Sequence, residues 1–132
     1  MTESEKNAET VRRGYAAFNK GDMNTLQEMF DEKINWHIPG QSSVSGDQKG
    51  RDAVFILFGK FGGATEWTFR AELKSVAICD DGRIIGLHKT TATRGKKKLD
   101  VDSCLLFEFM DGKVIDAKEY FYDLHAHEEF WK

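Results

Sequence analysis

The sequence is short of several features that would direct a functional assignment. Its 132 residues include one proline and two cysteines, Cys79 and Cys104. Both cysteines fall in strand-like stretches, so no disulfide framework is indicated and a reducing compartment is the default. No apolar run approaches the roughly 18 residues of a membrane span. The polar, acidic start of the chain does not resemble a signal peptide. We therefore expect a cytoplasmic protein without membrane contacts.

An excess of basic residues is also missing. Lys and Arg number 19 against 22 Asp and Glu, a formal net charge of −3. The one basic run, from Arg94 to Lys98, is interrupted by Gly95 and is typical of a solvated turn. Such a balance predicts no nucleic-acid partner. The glycine-rich nucleotide loops, HExxH and GxSxG are absent too, so nucleotide-dependent and serine-hydrolase chemistry have no support.

Aromatic side chains are what the sequence has in quantity. Ten Phe and three Trp occur in a chain that is 40% hydrophobic and 31% charged. A chain of this length forms one domain, here residues 1–132, and buries about two-thirds of its unfolded surface without metal or disulfides. The large aromatic rings suit either a dense core or the wall of a pocket.

Helical periodicity dominates the first half. After a lead-in, residues 1–6, that we expect to be disordered, Ala8, Val11, Tyr15 and Phe18 share one helix face. Three helices are predicted, beginning near Asn7, Asp22 and Arg51 and ending near Gly21, Asp31 and the glycines from Gly59 to Gly63. A short strand, Ile34 to Ile38, and a polar loop, Gln41 to Gly50, lie between the second and third helices.

After residue 65 the period changes to two, and four strands follow one another. The first alternates from Trp67, and its apolar phase shifts near Ser75, which predicts a bulge that bends the sheet. Turn signals at 80–82, 94–97 and 110–112 separate the strands, and the last runs from Val114 to Leu124. Helices grouped before a meander define an α+β fold: three helices in a strongly curved antiparallel sheet, a cone with an internal pocket.

Several local stretches resemble the nuclear transport factor 2-like fold, in particular its SnoaL-like and ketosteroid-isomerase-like branches. They extend over nearly the whole chain and are Val11–Asn19 with Gly21-Asp22-Met23, Trp36-His37-Ile38-Pro39-Gly40, Ser45-Gly46, Lys49-Gly50-Arg51, Asp111–Val114, and Asp123 with Phe130-Trp131. The resemblance implies a homodimer packed through the outer sheet face, with one apolar pocket per subunit. It also implies acid–base chemistry without a metal or organic cofactor.

Three side chains are candidates for that chemistry. His37 lies just before Pro39, and its imidazole could exchange a proton near neutral pH. The isomerases carry an Asp next to the Pro in this stretch, whereas this chain has Ile38. Asp123 shares a strand face with Phe121 and is the expected partner of His37. Tyr15 matches a helix-1 Tyr that donates to the substrate oxyanion in ketosteroid isomerases, a role borrowed from that enzyme.

Each candidate also has a structural alternative: a His bonded to a loop carbonyl, a carboxylate paired with an Arg or a helix end, and a core Tyr. Asp102 is expected to face outward if Ser103 and Leu105 face inward, and it would be a pocket acid in the opposite phase. Cys104 is expected as a small buried residue. His125 and His127 alone do not make a metal site. The expected ligand-lining residues are Trp36, Phe55, Phe58, Trp67, Phe69, His88 and Phe121.

Two functions remain open at this point. The first is a cofactor-free isomerase, cyclase or dehydratase that acts on a small apolar, carbonyl-containing compound, with His37 as base, Asp123 as its partner and Tyr15 as donor. The second is a module of the same fold that binds a ligand or a protein without turnover. The C-terminal residues Phe130 and Trp131 are expected to pack back on the body, with a lid over the pocket as one option.

Overall fold

The computed structural model describes residues 1–132. It contains four helices and six strands. The helices are α1 (Glu3–Lys20), α2 (Met23–Met29), α3 (Arg51–Ala64) and α4 (Leu124–Trp131). The strands are β1 (Phe30–Ile38), β2 (Gly46–Lys49), β3 (Arg70–Ile78), β4 (Ile84–Arg94), β5 (Lys97–Met110) and β6 (Lys113–Phe121).

One curved, unclosed sheet carries all six strands in the order β2-β1-β6-β5-β4-β3. Tight turns join β3 to β6 as an antiparallel meander, and α1 packs against β3 and β4 on the inner face. The predicted α+β cone is therefore confirmed. One detail differs, because β1 runs parallel to β6, which makes the sheet mixed rather than wholly antiparallel.

The bend in β3 comes from one extra residue. Leu73 pairs with His88 and Ser75 pairs with Leu87, so Lys74 has no partner on β4. Such a bulge increases the local twist of a strand and curls the sheet over the helices. The shift of apolar phase near Ser75 predicted this feature, and the structure confirms it.

The first helix begins earlier than expected. Thr2 and Glu5 form a capping box: the Thr2 hydroxyl accepts from the Glu5 amide at 3.1 Å, and the Thr2 amide donates to Glu5 Oε1 at 3.2 Å. The expectation of disorder over residues 1–6 is therefore wrong from Glu3 onward. The capping signal lies outside the apolar periodicity that set the predicted start at Asn7.

Three further elements depart from the prediction. A short strand, β2, forms inside the predicted loop because its backbone pairs with β1. Trp67 precedes the strand in which it was placed, and it adopts a left-handed backbone with φ 65°. Residues Leu124–Trp131 form α4, since Asp123 caps the helix and burial of Phe130 and Trp131 holds it on the body. Packing of these two side chains was expected, but the helix was not.

The core is a continuous cluster between the helices and the inner sheet face. It includes Ala8, Val11 and Tyr15 of α1, and Val54, Leu57, Phe58 and Phe61 of α3. Ile56 remains exposed, so α3 is buried on part of its circumference and open on one side. None of the four helices has the length and apolar character needed to cross a bilayer.

Candidate functional site

An internal cavity of about 60 Å³ lies between the helices and the sheet. Eighteen residues line it, and fourteen of them are hydrophobic. This volume holds a few water molecules, whereas drug-sized ligands occupy roughly 300 Å³ or more. The predicted pocket is present, and in this conformation it is largely filled by protein side chains.

Aromatic side chains occupy most of the space within the cavity walls. Phe61 stacks on Phe69 with ring centroids 4.6 Å apart, and Trp36 meets Phe58 edge-on at 5.2 Å. Phe18 packs against both Phe58 and Phe69. A ligand larger than a few heavy atoms therefore requires at least one of these rings to change rotamer.

Three polar side chains in contact with one another line this apolar cavity. Tyr15 Oη on α1 lies 2.7 Å from His88 Nδ1 on β4, and His88 Nε2 lies 3.2 Å from Glu119 Oε2 on β6. Tyr15 is 5% exposed and His88 is 3% exposed, and the Glu119 side chain is 10% exposed. We refer to Tyr15, His88 and Glu119 as the polar triad.

The close approach of Tyr15 to the sheet depends on Gly86. A Cβ at Gly86 would lie 2.6 Å from Tyr15 Oη, so a larger residue would push the phenol away. The glycine thus lets Tyr15 reach His88, and it leaves Tyr15 Oη 3.3 Å from the Gly86 carbonyl. Burial, and secondly the nearby charges of Glu119 and Cys104, raise the pKa of Tyr15 well above its usual value. The phenol is therefore a hydrogen-bond donor rather than a base.

The triad has two consistent proton arrangements. With a neutral His88, Tyr15 donates to Nδ1, and Nε2–H faces Glu119 Oε2 at 3.2 Å. With a protonated His88, Nδ1–H donates to Tyr15 Oη, and the phenol proton turns to the Gly86 carbonyl or to a substrate oxygen. In both arrangements Oε1 of Glu119 accepts no hydrogen bond from the protein. A carboxylate oxygen, a phenol and an imidazole thus meet at one cavity wall.

His37 lies elsewhere, on the outer face of the sheet. Its Nδ1 is 2.7 Å from Asp47 Oδ1, and its Nε2 is 2.7 Å from Asp116 Oδ1. Desolvation lowers the pKa of His37, but the hydrogen bonds to the two carboxylates outweigh it and the pKa is raised. The cluster links β2 and β6 to β1. It is a structural ion-pair network that does not reach the cavity.

The predicted pairing of His37 with Asp123 is wrong. Asp123 is exposed, and its carboxylate accepts from the Ala126 amide at 3.0 Å as the N-cap of α4. The structural alternative for Asp123, a carboxylate paired with a helix end, is therefore the one that the structure shows. Alternation along the last strand placed Asp123 inward, but β6 ends at Phe121, two residues earlier. Side chains alternate between the two faces only within a strand, so the alternation does not extend to Asp123.

The expected ligand-lining residues divide into three groups. Trp36, Phe58, Phe69 and His88 line the cavity. Phe55 and Trp67 border an outer groove instead, and Trp67 is 69% exposed. Phe121 lines neither space; it stacks on the buried His127 at a centroid distance of 4.0 Å. Along β5, Ser103 and Leu105 are buried and Asp102 is exposed, as expected, while Cys104 is half-buried.

Sequence reasoning missed Glu119. Its signal was available, because Glu119 has the same parity as Phe121, which was taken to face the cavity. The same alternation that wrongly selected Asp123 points, two residues before Phe121, to a carboxylate on the inward face of β6.

The helices enclosed by a curved, unclosed six-stranded sheet define the nuclear transport factor 2-like class of fold. The family model for the SnoaL-like domain matches residues 11–117. The chain is 31% identical over 121 residues to an uncharacterised protein of Mycobacterium tuberculosis strain H37Rv, with 92% of each covered. The chain therefore belongs to the SnoaL-like family.

Solved structures support the same placement. The structure of Bal32a, from a soil-derived mobile gene cassette, superimposes with a TM-score of 0.98 at 60% identity, covering 99% of this chain and 100% of that one. An NTF2-like protein of unknown function from Burkholderia pseudomallei K96243 gives a TM-score of 0.83 at 17% identity, with 100% and 99% covered. At that identity the second likeness shows the fold alone.

Proposed function

We propose that this protein is a cofactor-free enzyme that moves a proton on a small, apolar carbonyl compound, as an isomerase, cyclase or dehydratase. The observation that carries the proposal is the polar triad. Three polar side chains that can hold and pass a proton, two of them buried and the third nearly so, line a mostly apolar cavity. Buried polar networks are costly unless every member is satisfied. A pocket is the place where perturbed acid and base groups are expected to serve a reaction.

The residue roles follow from the contacts. Glu119 is the base, because Oε1 is free of protein partners and its carboxylate lines the cavity. It takes the proton next to the carbonyl, and the C–H electron pair forms the enolate. His88 lies beside Glu119, with Nε2 3.2 Å from Oε2, and so holds a polar neighbour against the carboxylate. Tyr15 donates its phenol proton as a hydrogen bond to the enolate oxygen while Nδ1–H of a protonated His88 occupies Tyr15 Oη. The proton then returns from Glu119 to a carbon of the product.

The partial reaction common to these activities is exchange of the proton next to a carbonyl. We suggest following cyclopentanone in D₂O by proton NMR, since this ketone is compact enough for a small cavity. The wild-type protein is expected to accelerate loss of the α-proton signal over buffer. Glu119→Gln keeps the size of the side chain and removes the base, and it is expected to slow exchange about 100-fold or more.

His37→Gln is the control for this experiment, because it removes an imidazole with two carboxylate partners outside the cavity. It should leave exchange unchanged. Exchange no faster than in buffer, or an equal loss in Glu119→Gln and His37→Gln, would argue against the triad as the catalytic site.

Binding without turnover is the second candidate function. The ring-filled cavity favours it, because the present volume is well below that of usual ligand sites. In that case the triad would be a structural network that orients α1 on β4 and β6. Tight binding of cyclic ketones without α-proton exchange would distinguish this function from catalysis.

We also propose that the protein is a homodimer through the outer sheet face. Leu87, Cys104 and Tyr120 lie side by side on three adjacent strands, and Ile85 is beside Leu106 in the next row. Leu87 is 45% exposed and Tyr120 is 50% exposed. A contiguous apolar row on an exposed sheet face is typical of a protein interface.

A further inference from the structure

A groove of about 510 Å³ opens at the surface where α1, α2 and α3 approach the start of β3. We call it the entrance groove. Its walls come from the end of α1 and the following turn, from α3, and from the segment before β3. The lining residues are Phe18, Asn19, Lys20, Gly21, Met23, Phe55, Phe58, Gly59, Gly62, Trp67, Phe69 and Arg70.

The entrance groove and the internal cavity share a wall. Phe18, Phe58 and Phe69 line both spaces. These are the rings that pack edge-on against one another through Phe18, at centroid distances of 5.0 and 5.8 Å. Rotation of these side chains would join the large groove to the small cavity, so the groove offers a route from solvent to the polar triad.

The rim of the groove is positively charged in a protein that is negative overall. Its two charged lining residues are Lys20 and Arg70, and no Asp or Glu lines it. Nη1 of Arg70 donates to the carbonyls of Trp67 and Phe69, while Nε and Nη2 have no partner in the protein. Lys20 makes no salt bridge. The nearest acid in sequence, Asp22, has both carboxylate oxygens bonded to Thr25, and its pKa is lowered by those hydrogen bonds and secondarily by the charge of Lys20.

Trp67 forms an apolar, strained part of the rim. Glu66 and Trp67 both have positive φ, at 52° and 65°, which is costly for residues other than glycine and tends to persist at functional sites. The indole lies so close to Gly62 on α3 that a Cβ there would clash with it. A bulky ring is thereby held at the groove with 69% of its surface exposed.

We propose that the ligand of this protein is an amphipathic anion, whose apolar body passes the Phe18, Phe58 and Phe69 rings into the cavity while its anionic group stays at Lys20 and Arg70. The guanidinium offers two nitrogens without protein partners, Nε and Nη2, whose adjacent N–H bonds suit a carboxylate or a phosphate. The inference rests on the proposed function only in taking the cavity as the destination of the ligand, and its test needs no turnover.

The three tryptophans make the test specific. Trp67 lines the groove, Trp36 lines the cavity, and the buried Trp131 lines neither. We suggest titrating 4-phenylbutyrate, 4-phenylbutyl phosphate and the neutral 4-phenylbutan-1-ol while recording the three indole N–H signals by NMR. Both anions, or one of them, should bind about 10-fold more tightly than the alcohol and shift the signals of Trp67 and Trp36. The better anion identifies the head group.

Lys20→Gln removes one rim charge without touching the backbone contacts of Arg70, and it should weaken the anion several-fold and leave the alcohol unchanged. Lys6→Gln is the matched control, on the same helix about 21 Å away, and should have no effect. Equal affinity for acid and alcohol, an equal effect of the two Lys variants, or no binding at all would overturn the inference. Shifts at Trp67 without any at Trp36 would overturn passage into the cavity. Because none of these results involves exchange, they do not depend on whether Glu119 acts as a base.

Discussion

Tyr15 Oη and His88 Nδ1 lie 2.7 Å apart although the two residues are 73 positions apart in sequence. This hydrogen bond ties α1 to the inner face of β4. Gly86, two residues before His88, leaves the space through which the phenol reaches the sheet. The same contact therefore belongs both to the packing of the helix and to the proposed chemistry.

Tyr15→Phe is expected to cost about 1–3 kcal/mol of unfolding free energy, because His88 Nδ1 loses its partner in a buried site. Urea denaturation measures this change. Tyr122→Phe is the control, since Tyr122 is 91% exposed and its hydroxyl has no protein partner. If both variants lose the same stability, the buried hydrogen bond contributes little. In the α-proton exchange experiment Tyr15→Phe should also be slower than wild type.

His37 should contribute stability over a defined range of pH. Its pKa is raised above the ordinary 6.5, so the stabilisation it provides is complete below 6.5 and is lost as the pH rises through its folded-state pKa. The pKa of Asp47 is lowered below 3.8 by the hydrogen bond from His37. The stabilisation that comes from the Asp47 carboxylate is therefore complete above pH 3.8 and is lost at lower pH.

The difference in unfolding free energy between wild type and His37→Gln is therefore expected to be largest between pH 3.8 and 6.5 and to fall on both sides. Urea denaturation at a series of pH values gives this profile. A difference that does not change with pH would show that His37 acts through packing alone.

Unlike His37, His127 should make the protein less stable as the pH falls below neutrality. It is buried with no partner for either ring nitrogen, and burial lowers its pKa to about 4 although the charge of Glu128 opposes this. Between pH 6.5 and 4 the unfolded chain binds a proton that the folded chain does not, so stability falls as the pH falls. The loss is at most about 3 kcal/mol.

His127→Phe keeps a ring stacked on Phe121 and removes the titrating group. Thermal unfolding followed from pH 7 to pH 4.5 should show a shallower decline for this variant than for wild type. Parallel declines would mean that other groups determine the acid sensitivity.

Leu87→Glu should dissociate the proposed homodimer, because it places a charge in the centre of the apolar row on the outer sheet face. Light scattering at micromolar concentration should give the mass of a dimer, about twice 15.1 kDa, for wild type and that of a monomer for the variant. Lys113→Glu changes an exposed residue at the start of β6, outside the apolar row, and should remain dimeric. A monomeric wild-type protein would refute the homodimer.

Alternation and helical spacing predicted most of the fold because those patterns record burial directly. The phase shift at β3 was predicted from the sequence. For β5 the sequence left two phases open, and the structure selects the one in which Ser103 and Leu105 face inward. Elements that are stabilised by tertiary contacts were not predicted from the sequence. Strand β2 has no apolar pattern and exists through pairing with β1, and α4 is held by Phe130 and Trp131 against the body.

The site was predicted less well than the fold. Tyr15 and His88 were both named as site candidates, Tyr15 from the family resemblance and His88 from its place in a predicted strand, and both line the cavity. His37 and Asp123 depended on a position near a strand end, where backbone direction is set by turns and caps. Glu119 was missed although its spacing from Phe121 places it on the inward face of β6. Its contact with His88 and its place at the cavity wall are seen only in the structure.

Because of the bulge at Lys74, odd-numbered residues of β3 face inward before it and even-numbered residues face inward after it. Before it the inward residues are Ala71 and Leu73; after it they are Val76 and Ile78, which pair with Gly86 and Ile84. A relative that lacks the extra residue must be aligned with a one-residue gap at this point. Without the gap, the outward Ser75 and Ala77 would be equated with core positions, and exchanges that are neutral at the surface would be counted as changes in the core.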